Sequence, residues 1–226
     1  MALKRKSALS RNPLYSGASS SVDTTPFSIR FRDEKAKLNF FENFSQRGIH
    51  YECQVIMLDY SDTDLPTVIY SRGWGPLCDA LVTCPSVLMQ EFYSNMHGFN
   101  YSIPHFITSI QDTRIVVTSQ IVADVLYVLI VEFPDYLGCE RLRTASKDEL
   151  IFAFYKHPSD WGKHQFTYCS GFAKGPQSLN MVMTFVLHPF SHYNSITEPR
   201  ARFLISLIEG LTIDFPSHFI LSIIDV

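Results

Sequence analysis

His188 and His192 stand four residues apart, the spacing that brings two imidazoles to one face of a helix as a zinc pair. Pro189 falls between them and breaks the helix such a pair requires, and no glutamate lies between them to serve as a base. The cysteines, Cys53, Cys78, Cys84, Cys139 and Cys169, contain no Cys-x-x-Cys knuckle, so no metal is expected. Asp59, Asp62, Asp64, Asp112, Asp124, Glu132, Asp135, Asp148 and Glu149 are of the residue type that holds two metal ions in an integrase-like nuclease. Most fall in predicted turns or at helix starts, where acids are favoured as caps, and spacing singles out no triple. Cys169-Ser170-Gly171 and Ser191-His192 place nucleophile types near a base, yet neither has the Gly-x-Ser-x-Gly elbow. The glycines of 171–175, with Lys174, lack the Gly-Lys-Ser/Thr ending of a phosphate loop. No catalytic residue or cofactor is therefore assigned, and the reading leans away from an enzyme, with a metal-dependent transposase or nuclease as the alternative.

Charge points more directly to a partner. The net charge of −3 gives no global attraction for phosphates, but Lys4, Arg5, Lys6, Arg11, Arg30 and Arg32 crowd the beginning of the chain. These six are the candidate nucleic-acid-binding residues, against the plainer reading of a solvated basic tail. The aromatic share of 14% suits either a bulky core or a surface for protein partners or self-association. An odd number of cysteines without a preceding secretory signal reads as reduced thiols in an intracellular protein, nuclear or cytoplasmic. The longest apolar run, 121–133, is interrupted by Asp124 and Glu132 and is shorter than the roughly 20 residues that cross a bilayer, so no membrane partner is expected.

The elements that would position these groups follow from periodicity. Residues 1–26 are rich in Ser, Thr and basic side chains and are expected to form a disordered basic arm. Residues 27–226 are expected to form one mainly α domain of the α+β kind, with a small β-hairpin near 104–118. Leu38, Phe41 and Phe44 share one face of a predicted helix closed by Gly48, and 53–58 reads as a strand. Gly73-Trp74-Gly75 reads as a bend that seats the indole on the core. The central helix is 86–96, started by Pro85 and Ser86 and closed by Gly98; Met89, Phe92, Tyr93 and Met96 are its predicted core face. Glu91 is expected to be solvated or to cap a neighbour.

Thr118 or Ser119 is expected to cap a helix through Val128 that buries Ile121, Val122, Val125 and Leu126. Ser146 and Glu149 fit a capping box, with the helix running to about His157, and 161–176 reads as a long loop. Leu179 to Leu187 is an apolar helix. Thr197 caps the next, with Pro199 in its first turn, Gly210 past its end, and Ala201, Leu204, Ile205 and Ile208 as its stripe. A last helix starts at Pro216 and runs on without a C-cap, which reads as a chain truncated at its C-terminus.

With these segments laid out, Glu91-Phe-Tyr-Ser-Asn95, Arg114-Ile-Val-Val-Thr118, the helix from Ile121, and Pro199-Arg-Ala-Arg-Phe-Leu204 followed by Glu209-Gly210 carry a likeness. From about residue 31 to the end, the chain resembles the plant transposon protein domain, a mobile-element-associated family of unknown biochemical function. That family often has Arg-Gly before the second hairpin strand, where this chain has Asp112-Thr113. The resemblance implies a mobile-element origin and brings no catalytic residues with it. Taken with the basic arm, the reading is an element-derived, non-enzymatic structural or nucleic-acid-associated module, with a protein-interaction module as a further alternative.

Overall fold

The computed structural model describes residues 29–46, 54–79, 84–155, 166–187 and 195–224. Within them the chain is mainly helical with a small antiparallel sheet, as the sequence predicts. In chain order come α1 (Glu34–Asn39), α2 (Leu65–Tyr70), α3 (Ser86–Ser94), β1 (His97–Asn100), β2 (His105–Ile110), β3 (Thr113–Thr118) and α4 (Ser119–Leu126). They are followed by α5 (Asp135–Gly138), α6 (Glu140–Thr144), α7 (Lys147–Phe152), β4 (Phe166–Tyr168), α8 (Lys174–Val182), β5 (Ser195–Thr197), α9 (Glu198–Ile208) and α10 (Phe215–Ile224). The predicted arm 1–26, with Lys4, Arg5, Lys6 and Arg11, lies outside the described residues, as do Gly48, Cys53, His157, Trp161, His188 and His192.

The larger core is built around α9. Pro199 sits in its first turn, where a missing N–H leaves nothing unpaired, and Gly210 follows its end at φ +74°. Ala201, Leu204 and Ile205 are buried as predicted, and Phe203 and Leu207 are buried with them, while Ile208 is largely exposed. A helix covered on so many sides needs neighbours around it, and α6, α7, α8 and β5 supply them. Trp74 fills one end of this core with its ring 5.2 Å from that of Phe215, and Gly73 makes the predicted bend at φ +69°. Arg72 lies over the indole and donates to the Leu207 and Leu211 carbonyls at 3.2 and 3.3 Å, tying the end of α9 and the residues after it to the Trp74 bend. The capping box forms as expected: the Ser146 N–H donates to Glu149 at 2.7 Å, and the Glu149 N–H donates back to the Ser146 hydroxyl at 3.3 Å.

The second, smaller core lies under the sheet, whose strand order is β1-β2-β3. Phe106 and Thr108 of β2 point to one face with Val117 and Ile115, their partners in β3, because side chains alternate along a strand. The aromatic ring of Phe92 from α3 meets Phe106 edge-on at 5.8 Å, and Ile220 of α10 is buried in the same cluster. The β2–β3 hairpin falls where the sequence predicts it. Its two turn residues, Gln111 and Asp112, have φ of +48° and +64°, the two left-handed positions of a tight hairpin turn, adopted here without glycine.

Several expectations are corrected. Along α3 the fully buried side chains are polar, Glu91 and Ser94 with Asn95 just beyond, whereas Met89, Phe92, Tyr93 and Met96 are only half-buried. The sheet that α3 rests on presents backbone and a tight turn, and polar groups satisfy these. No serine caps α3; Pro85 holds the cap position and Ser86 is already helical. Gly98 lies in β1 at φ +62°, where a Cβ would stand 3.1 Å from the Ile107 side chain, so its role is in the irregular β1–β2 pairing.

α1 passes into a π-helical turn at Phe40–Phe44, whose extra residue per turn rotates the predicted stripe and leaves Leu38 and Phe41 exposed. The expected strand at 53–58 gives way to a 3₁₀ turn at Met57–Tyr60. α4 is capped by the Thr118 hydroxyl, which accepts the Ile121 N–H at 3.3 Å, and it stops at Leu126 because Tyr127 takes φ +54°. Val122 and Ala123 face inward, and Ile121 and Val125 do not. Part of the expected loop 161–176 is β4, paired with β5, followed by the start of α8. α7 ends at Phe152, short of the predicted His157.

Candidate functional site

Of the six candidate phosphate-binding residues, the structure describes Arg30 and Arg32. Both lie where the chain enters the fold beside the hairpin turn. The Arg30 guanidinium pairs with the Asp112 carboxylate in the turn, and Arg32 pairs with Asp33 at 2.7 Å. Asp33 is also the N-cap of α1, accepting the Ala36 N–H at 2.8 Å, and that bond first and Arg32 second hold its carboxyl below the usual range. The fold thus brings these two arginines together and gives each a carboxylate.

Behind them the buried groups of α3 act as a clamp. The Glu91 carboxylate accepts the Gln111 backbone N–H and the Gln111 side-chain amide, each at 2.7 Å, so it caps a neighbour rather than standing in solvent. Asn95 donates to the carbonyls of Arg30 and Ser109 at 2.8 and 3.1 Å and accepts the Arg32 N–H at 2.9 Å. The Thr108 hydroxyl donates to the Phe92 carbonyl at 2.6 Å. One turn of helix therefore holds the hairpin tip, strand β2 and the incoming chain. The Glu-x-x-x-Asn spacing signals this, since i and i+4 share a helix face, but the periodicity of the apolar residues draws attention to the other side.

Five of the nine candidate carboxylates are engaged separately. Asp62 pairs with Lys174, Asp112 with Arg30, and Gln120 donates to Asp124. Asp135 accepts from the Thr212 hydroxyl and backbone N–H, which in that order depress its pKa. Glu149 belongs to the capping box. Among the described residues no three His, Cys, Asp or Glu side chains come together in a way that would hold a metal ion. Cys78 and Cys169 are buried, and burial pushes their thiols up to about 11 and about 12, so both are protonated at neutral pH. Arg200 is buried beside Thr184, to whose hydroxyl it donates, and burial lowers its pKa to about 10, still charged at pH 7. The same pocket of polar groups includes Asn180, whose amide meets Cys169 Sγ at 3.3 Å.

A different feature stands out on the surface. From α4 into the following coil, Ile121, Val125, Tyr127, Leu129, Ile130 and Phe133 are all exposed, Tyr127 and Phe133 to 80% and 81%. The alternate residues turn inward, with Val122 and Val128 buried and Leu126 packed against the core. The strip ends at an open groove of about 710 Å³ lined by Glu132, Phe133, Pro134, Asp135, Cys139 and Leu211. Its sequence signal is the 121–133 run, too short to be a membrane span and too apolar to be an ordinary solvated surface. No helix among the described residues is long and apolar enough to cross a membrane. No family model, curated protein or solved structure matches the chain.

Proposed function

We propose that the chain is a non-enzymatic module of mobile-element origin that associates with nucleic acid through Lys4, Arg5, Lys6 and Arg11, the folded part serving as the scaffold. The origin rests on the resemblance carried by 91–95, 114–118 and 199–204. The phosphate-binding reading rests on the crowding of Lys4, Arg5, Lys6 and Arg11 in a stretch with no acid before Asp23, while Arg30 and Arg32 are paired with Asp112 and Asp33. The fold neutralises the two bases it holds, which concentrates the remaining positive charge of the group in the first eleven residues.

Electrophoretic binding of the full chain to duplex DNA over a salt series tests it. Four phosphate contacts give a slope of log affinity against log salt of about −3 to −4. Replacing all four bases by Gln is expected to abolish that slope, and Arg30→Gln with Arg32→Gln to leave most of it. Binding insensitive to salt, or unchanged by the fourfold replacement, would overturn the reading.

The exposed apolar strip favours a second role, a protein-contact surface, because six large apolar side chains left in water between Ile121 and Phe133 are more than scattered surface residues account for.

A further inference from the structure

We propose that the strip from Ile121 to Phe133 is the docking surface for the chain's own first fifteen residues. The inference rests on the strip being a contact surface, and because it engages Lys4, Arg5, Lys6 and Arg11, docking and phosphate binding compete for the same bases.

Area comes first. Ile121, Val125, Tyr127, Leu129, Ile130 and Phe133 are between 41% and 81% exposed. Covering their side chains would remove on the order of 800 Å² from water, about what one side of a standard interface buries. A segment of about fifteen residues is of the scale that covers such a surface.

Charge selects which occupant. Between Arg114 and Arg141 the chain has no Lys, Arg or His, and it carries Asp124, Glu132, Asp135 and Glu140. The open groove at the end of the strip sets two of these carboxylates, on Glu132 and Asp135, beside the apolar Phe133, Pro134 and Leu211. Of the cations that approach its lining, Arg141 is paired with Glu209 and Arg72 is turned to the Leu207 and Leu211 carbonyls. Such a face repels phosphates, and a second copy brought to it symmetrically would set carboxylates against carboxylates. It attracts a segment that is basic and apolar together. The first fifteen residues are of that kind: the Lys4-Arg5-Lys6 triplet and Arg11 are interspersed with Leu3, Leu9, Leu14 and Tyr15, and no acid occurs before Asp23.

Reach permits it. The chain enters the fold at the hairpin turn, where Arg30 meets Asp112, and α4 begins at the far end of β3. The six residues of β3 separate the two by about 20 Å at strand rise. The thirteen residues 16–28 span at most about 45 Å when extended. Tethering also raises the local concentration of the segment to the millimolar range, so modest intrinsic affinity suffices.

Zero-length carbodiimide coupling on the full chain, in the absence of nucleic acid, tests the contact. It joins a lysine amine to a carboxylate only when the two touch. An equal mixture of ¹⁴N and ¹⁵N protein separates links within a chain from links between chains, and mass spectrometry locates them. The expected result is Lys4 or Lys6 joined to Asp124, Glu132 or Asp135 within one chain. The yield is expected to fall at least about fivefold in a Val125→Ser, Leu129→Ser, Phe133→Ser variant whose far-ultraviolet dichroism is unchanged, and also in 0.5 M salt. If that variant fails to fold, Asp124→Asn with Glu132→Gln and Asp135→Asn is read instead through tryptic cleavage after Lys6, expected to quicken at least about fivefold. Links spread evenly over Glu34, Asp59, Asp79 and Asp148 would overturn the proposal. So would links found only between differently labelled chains, which would make a second copy the occupant.

Discussion

α3 and α9 are both central helices, and they are held in opposite ways. α9 buries Phe203, Leu204, Ile205 and Leu207 among aliphatic and aromatic neighbours, with the Phe203 ring stacked 4.3 Å from the His218 imidazole. α3 leaves its large apolar residues half-covered and buries Glu91, Ser94 and the adjoining Asn95 against a turn, a strand and the incoming chain. The apolar contacts of α9 are non-directional and tolerate small shifts, with Arg200 adding a buried hydrogen bond to Thr184 at one point. Those of α3 are hydrogen bonds with fixed partners, so they set register and turn geometry at the cost of desolvating polar groups. An apolar face fills space, and a polar face specifies which backbone groups meet it.

The difference can be tested by substitution, beginning with the largest effect. Phe203→Ala removes a ring buried to 1% exposure, and urea unfolding is expected to show a loss of about 3–5 kcal/mol. A loss below about 1.5 would mean that α9 is not the axis of the core. Glu91→Ala leaves the Gln111 N–H buried without its acceptor and is expected to cost about 2–3 kcal/mol. Amide exchange at Gln111 and in β2 should quicken more than exchange in α9. Equal acceleration in both places would erase the distinction between clamp and core. The smallest effect has the opposite sign. Asp112→Gly relieves a left-handed backbone position and gives up only an exposed pair with Arg30, so thermal unfolding is expected to show a gain of about 0.5 kcal/mol. A loss instead would show that the Arg30 pair contributes more to the hairpin tip than the backbone strain costs.

The sequence was most readable where local rules act alone. The hairpin strands, the Ser146–Glu149 box, the Trp74 bend and the α9 boundaries all follow from residues within a few positions of each other. It was least readable where a distant partner decides. The Glu91 and Asn95 spacing marks a polar helix face but does not say that a turn residue twenty positions on will need the Glu91 carboxylate, and nothing near Arg30 says that Asp112 will take its charge. The face of α1 was missed because a π turn adds a residue that helical spacing does not count. The strip 121–133 was visible as an apolar run, but its exposure depends on Tyr127 ending α4 early, a backbone choice that its side chain does not announce.

Leu126 and Phe219 each pack against both hydrophobic clusters. Side chains held in common make the two regions one cooperative unit: opening the sheet would expose part of the helical core, and loosening the core would withdraw support from α4 and α10. Despite their different chemistry, the polar-clamped and apolar halves are expected to unfold in a single transition, with dichroism and, in a Trp161→Phe variant, fluorescence of Trp74 reporting the same midpoint.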